Sequence, residues 1–305
     1  MLLRAAWISL LLSFAPSAHS QSVALTFDDG LNPHTQPEAV AWNASILDAL
    51  AKANVTSMLL PACKHVDTAE GMQLVMAWAQ AGHSVANHTY SHRDLSSPEV
   101  SAEAFIADVE RCGKVLSAVS SWTARLRFPY LKEGDTAEKR DAIRRWMAKN
   151  NYRPAPVSID ASDWYYSNRF VEWRKAHAGS NIDLYRQAYL AHLWNRASYY
   201  DGLSKRVLAR SVKHVLLLHT NAINAAFLSD VVAMFRAKGW TIISPEEAFA
   251  DPVYAMQPGV LPAGESILWA LAKQSDVEGL RYPAEDGVYE RTLLDELESP
   301  AQSSN

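Results

Sequence analysis

Two adjacent carboxylates, Asp28 and Asp29, close the sequence Thr26-Phe27-Asp28-Asp29 and are followed by Gly30. Paired acids after a buried strand are costly unless they meet a metal or another cation. On extended chain, neighbouring side chains point to opposite faces, so the two acids can hold different roles, one on a metal and one on a water. Gly30 permits a sharp turn behind them. Further on, Asn87-His88-Thr89-Tyr90-Ser91-His92 carries two imidazoles four residues apart. In a helical turn they would face the same way and share one ion. Asp29, His88 and His92 together make a ligand set of two imidazoles and one carboxylate. Such a set leaves coordination positions open for water and substrate, as a catalytic zinc-type site requires.

Three more reactive groups follow short apolar runs. Arg127-Phe128-Pro129-Tyr130 offers a guanidinium that could hold Asp28 ionised and oriented. Asp160-Ala161-Ser162-Asp163-Trp164 and Leu216-Leu217-Leu218-His219 supply a further acid and a further imidazole. Taken singly, each has a plain structural explanation, Asp163 as a helix cap for example. Their joint placement is what carries weight.

The elements that must position these groups are legible as seven short apolar runs: Val23 to Phe27, Val55 to Leu60, His83 to Asn87, Arg125 to Phe128, Pro156 to Ile159, Val215 to Leu218 and Trp240 to Ile243. Each reads as a buried strand. Amphipathic patterns at spacings of three and four lie between most of them, with Ser97 and Pro98 as one expected helix start. Strand alternating with helix implies parallel strands covered by helices. Seven units suggest a closed or nearly closed barrel, whose chemistry sits at the strands' C-terminal ends. Five strand ends deliver a reactive group to that face.

The connection from Tyr165 to Arg210 is long and rich in Tyr and Trp, either an extra helical layer with its own small core or a wall of a cleft. Beyond Pro252 the pattern loosens into an appendage. The expected organisation is a leader over 1–20, a barrel over 21–250 with an insertion at about 165–210, and an extension over 251–305. The leader reading rests on Arg4, the apolar stretch Ala5 to Ala15 and the small-residue pattern Ala18-His19-Ser20, and it predicts a secreted or periplasmic protein. Cys63 and Cys112 could pair in an oxidising compartment or stay as separate thiols. A formal charge of −4 argues against nucleic acid as a partner, and no later segment is long and apolar enough to span a bilayer. Oligomeric state is not legible.

In this order and at these strand ends, Thr26 to Gly30, His88 to His92, Arg127 to Tyr130, Asp160 to Trp164 and Leu216 to His219 resemble the five motifs of the NodB-homology polysaccharide deacetylases, carbohydrate esterase family 4. The resemblance covers roughly Ser22 to Ala250 and implies a distorted (β/α)7 barrel. It implies that Asp29, His88 and His92 bind a divalent metal, zinc first, with Co2+, Ni2+ or Mn2+ as alternatives. It implies Asp28 as general base, oriented by Arg127, and His219 as general acid, polarised by Asp163. Tyr130 would meet the oxyanion through its backbone N–H, and Trp164 would pack beside His219. The implied substrate is a glycan with N-acetylated amino sugars, chitin-like or peptidoglycan-like. An O-acetyl esterase acting on xylan or a similar glycan, and an inactive carbohydrate-binding protein, are the alternatives.

Overall fold

The structure is a computed structural model that describes residues 21–281 and 287–299. The leader expected over 1–20 lies outside the described residues. Among the described residues nine strands form: β1 Ser22–Asp29, β2 Met58–Pro61, β3 Ser84–Asn87, β4 Trp122–Leu126, β5 Lys132–Gly134, β6 Arg153–Pro154, β7 Lys213–His219, β8 Thr241–Ile242 and β9 Ala263–Gly264. Seven of them make one sheet in the order β6-β4-β3-β2-β1-β7, with β8 beside β1. All its pairings are parallel. β5 and β9 form a separate antiparallel pair. The central strands read as unbroken apolar runs because helices cover the sheet, so that six successive residues of β1 are buried.

Closure runs through the segment that begins with β6. Ala155 donates its N–H to the Leu126 carbonyl, while Leu217 donates to Ile159, which bridges to Leu216 of β7. One stretch of chain thus joins β4 on one side to β7 on the other, and the sheet becomes a distorted (β/α)7 barrel. The fifth strand differs from the expected run Pro156 to Ile159: its ladder to β4 is Arg153–Pro154, and only Ile159 bridges to β7. Pro154 and Pro156 have no N–H to donate, so no continuous ladder can form there.

Register decides what meets at the strand ends. Asp28 of β1 is level with Leu60 of β2 and His219 of β7. Asn87 of β3 is level with Leu126 of β4, so His88 and Arg127 leave the sheet together. One helix start also differs from expectation. The helix after β3 begins at Ala102, capped by Ser101, whose side chain accepts from Ala104 N. Ser97 and Pro98 lie in a turn held by Asp94, upstream of the first helical residue.

The long connection forms two helices, Asp163–Ala176 and Asp183–Leu208. Its buried aromatics, among them Tyr166, Phe170, Tyr185, Tyr189 and Tyr200, join the main barrel core rather than a core of their own. The helix Ile267–Gln274 contributes Ile267, Leu268, Trp269 and Leu271 to the same core. Among the described residues no helix is long and apolar enough to cross a membrane.

Cys63 and Cys112 are disulfide-bonded, with Cα atoms 5.4 Å apart and a sequence separation of 49. The bond ties the turn after β2 to the helix Ala102–Leu116. That turn also donates Cys63 N and Lys64 N to the carbonyls of Thr89 and Tyr90, between the two imidazoles. Cross-linking a loop of this length restricts the unfolded chain, worth about 2–4 kcal/mol. Replacing both cysteines with serine should lower the unfolding free energy by about that amount in denaturant titrations. An unchanged midpoint would show that the bond contributes nothing.

Candidate active site

Asp28 leaves β1 with its side chain sealed from solvent, 2% exposed, against Arg127, 1% exposed. Arg127 Nη1 donates to Asp28 Oδ1 at 2.7 Å and to Thr26 Oγ1 at 2.8 Å, while Nε donates to the Ala155 carbonyl at 2.9 Å. The carboxylate is therefore fixed in direction. Asp29 follows at φ 75°, in the left-handed region. This departs from the extended alternation expected for adjacent acids. The turn brings both carboxylates to one imidazole: His88 Nε2 lies 3.7 Å from Asp28 Oδ2 and 3.6 Å from Asp29 Oδ1.

His88 and His92 were expected in a helical turn. The chain instead makes an irregular bend, with Thr89 at φ 65° and His92 at φ 55°. Side chains replace the missing helical bonds. Asn87 Oδ1 accepts from Thr89 N, Asp108 Oδ2 from Tyr90 N and Ser91 N, and Thr89 Oγ1 from His92 N. Both imidazoles still reach Asp29, with His92 Nε2 3.3 Å from Oδ1. His88 Nδ1–H donates to the Arg127 carbonyl at 3.0 Å, which turns the lone pair of Nε2 toward Asp29.

Burial pushes the His88 imidazole down to about 4, so it is a neutral ring. Burial alone would raise the Asp29 carboxyl, but the nearness of the His92 ring and the charge of His219 hold it well below the usual carboxylate range. Asp29 Oδ1 is buried with no hydrogen-bond donor directed at it. Ligand atoms of Asp29, His88 and His92 lie within 4.8 Å of one another, the one such group among the described residues. Ligands about 2.0–2.1 Å from a tetrahedral ion sit roughly 3.3–3.4 Å apart. Neutral imidazole, ionised carboxylate, an orphaned oxygen and these separations all fit a divalent cation.

On the opposite wall, His219 Nδ1 and Asp163 Oδ1 are 2.6 Å apart. Asp163 Oδ2 accepts from His219 N, Asn221 Nδ2 and Asn224 Nδ2. Burial alone would push the His219 imidazole down. The charge and hydrogen bond of Asp163, with the charges of Asp29 and Asp28, outweigh it and raise the group to about 10. Asp28, Asp29, His88, His92, Tyr130, Trp164 and His219 line one cavity of about 470 Å³ with Asp160, Phe128, Leu131 and Leu217. Arg127 and Asp163 stand directly behind it, so every site residue expected from the sequence converges. Tyr130 packs edge-on against His92, ring centroids 4.7 Å apart, and its own φ is 55°.

Sequence reasoning missed Thr26, Asn221, Asn224 and Asp108. Thr26 was findable, since it lies two residues before Asp28 on the same face of β1. Asn221 caps the helix Ala222–Ala237 through its Oδ1, a signal that hid its second role. Nothing local marks Asn224 or Asp108.

An open cavity at the strand ends of a parallel barrel, walled by a cation-ready triad and two hydrogen-bonded acid–base pairs, defines a hydrolytic, metal-ready site. A family model described as polysaccharide deacetylase matches residues 15–150. A chitooligosaccharide deacetylase of Rhizobium leguminosarum bv. trifolii is 30% identical over 161 residues, 53% of this chain and 67% of that protein. A peptidoglycan-N-acetylglucosamine deacetylase of Bacillus cereus is 26% identical over 153 residues, half of each chain. The fold is shared with peptidoglycan deacetylase PdaC from Bacillus subtilis, at TM-score 0.50 and 18% identity over 75% of this chain and 92% of that one. It is also shared with a Xyl-CE4 domain of a xylanase from the hindgut metagenome of Trinervitermes trinervoides, at TM-score 0.51 and 17% identity over 79% and 95%. The chain belongs to the NodB-homology polysaccharide deacetylase family of enzymes.

His219 gains its proton affinity on folding. A raised pKa contributes stability in full below the ordinary value of 6.5 and loses it as pH climbs through about 10. In metal-free protein, Asp163→Asn should therefore drop the His219 pKa and abolish that alkaline loss. Imidazole NMR titration reads it directly, and an unmoved pKa would remove Asp163 as the cause.

Proposed function

We propose that the protein is a metal-dependent N-deacetylase of GlcNAc-type residues in a chitin-like or peptidoglycan-like glycan. The observation that carries this reading is the pairing across one cavity of a buried, Arg127-held carboxylate with a protonated His219, on either side of the Asp29–His88–His92 group. A bound divalent ion, zinc foremost, would be held by those three side chains and would supply Lewis-acid polarisation of a carbonyl and acidification of water.

The remaining chemistry belongs to the chain. Asp28, oriented by Arg127, takes a proton from the attacking water as the new C–O bond forms at the acetyl carbon. The Tyr130 N–H, presented on the left-handed turn after Pro129, meets the charge that develops on the acetyl oxygen. His219, oriented by Asp163, gives its proton to the departing nitrogen as the C–N bond breaks. Acetate and a free amine result. Trp164, half-buried beside His219, offers an aromatic face to a sugar ring.

We also propose that the protein acts outside the cytoplasm. The leader pattern over 1–20 supports this, as does the disulfide, which persists in oxidising compartments.

Acetate release from a panel of N-acetylated and O-acetylated glycans tests the reading. Release should be strongest on N-acetylated chains, vanish with chelator and return with added divalent cation. Asp28→Asn should retain stoichiometric metal and lose about 10²–10⁴-fold in turnover. Chelator-insensitive release, or wild-type turnover by Asp28→Asn, would overturn the mechanism. Release confined to O-acetyl xylan would replace the amide substrate with an ester.

A further inference from the structure

The helix Asp183–Leu208 follows the region matched by the family model, and none of its residues lines the cavity. Two of its buried side chains nevertheless reach the loop that ends in Asp163. His192 and Arg196 are four residues apart, on one face of the helix. His192 Nε2 hydrogen-bonds the Ala161 carbonyl, and Arg196 Nε donates to the Asp160 carbonyl at 3.3 Å. A carbonyl only accepts, so the proton of His192 sits on Nε2. Burial keeps that ring neutral, with its pKa down at about 4. Its plane is fixed by stacking on Tyr166, centroids 4.6 Å apart. The Arg196 guanidinium lies 5.0 Å from the rings of both Tyr199 and Tyr200.

What these two donors grip is a turn that would not hold its shape alone. Ser162 follows at φ 48°, in the left-handed region, although it is not glycine. Such a conformation costs of order 1–3 kcal/mol and persists only where the surroundings impose it. The side chain of Ser162 does not cap the next helix. Asp163 comes directly after, at the first position of that helix, and its carboxylate is spent entirely on His219, Asn221 and Asn224. Aim at His219 therefore depends on where the Asp160 and Ala161 carbonyls are held.

We propose that His192 and Arg196 are positioning residues for the Asp163–His219 pair, clamping two consecutive carbonyls so that the strained turn at Ser162 directs Asp163 onto His219. The inserted helix would thus be part of the acid's support although it never touches the cavity. The consequence for turnover rests on the proposed function, whereas the geometry of the pair does not.

His192→Leu removes the donor, and His192→Gln keeps one. In metal-loaded enzyme, His192→Leu should lower kcat about 10- to 100-fold with KM and metal stoichiometry unchanged. His192→Gln should recover most of that loss. Arg196→Met and Arg196→Lys form a second pair, read the same way if His192→Leu does not fold. Independently of acetate release, the imidazole N–H proton signal of the His219–Asp163 hydrogen bond in metal-free protein should broaden in the Leu and Met variants and sharpen again in Gln and Lys. If wild-type protein releases no acetate, the function is wrong and this signal alone judges the clamp. Wild-type kcat with a sharp signal in the donor-less variants would overturn the proposal. So would a loss confined to melting temperature, with kcat per folded molecule intact.

Discussion

A guanidinium and a carboxylate, each almost wholly sealed from water, meet at the centre of the barrel's open end: Arg127 against Asp28, 2.7 Å apart. Neither ion could be buried there alone. Removing one partner of such a pair costs about 3–5 kcal/mol, because the other is left charged and desolvated. The contact therefore fixes the relative placement of β1 and the end of β4, and with it the direction of the Asp28 carboxylate. Thr26 and the Ala155 carbonyl take further N–H groups of Arg127, so the pair is tied into β1 and into the segment that closes the barrel.

Around that pair the backbone is strained in a consistent way. Asp29, Thr89, His92, Tyr130, Leu131 and Ser162 all have positive φ, and all lie where a strand has just ended at the cavity. None is glycine, so each conformation is held against its own preference by what surrounds it. Thr89 and His92 are held by Asn87, Asp108 and the Thr89 hydroxyl. These departures from regular structure are what turn side chains inward that an ideal strand or helix would send elsewhere.

The motif residues and their common face were legible in the sequence because parallel strands of similar length must end together, and the pattern of apolar runs reveals where they end. Asp28 level with His219 is a consequence of register that the runs already imply. The backbone conformations were not legible. His88 and His92 were expected on a helical turn, and the real bend depends on Asp108, which reaches back from the next helix, Ala102–Leu116. The ladder of the fifth strand lies at Arg153–Pro154 rather than at the expected run because Pro156, which opens that run, has no N–H to donate, a rule that the sequence contains but that an apolar run obscures. Asn224 and Arg196 act across long sequence separations, with no local spacing to mark them.

The proposed chemistry requires the three side chains of Asp29, His88 and His92 to share one cation. X-ray absorption at the zinc edge, on protein loaded with one equivalent of zinc, measures that directly. Two imidazole nitrogens and a carboxylate oxygen in the coordination sphere at about 2.0–2.2 Å are predicted, together with loss of one imidazole in His88→Ala. A sphere without imidazole, or one that His88→Ala leaves untouched, would contradict it.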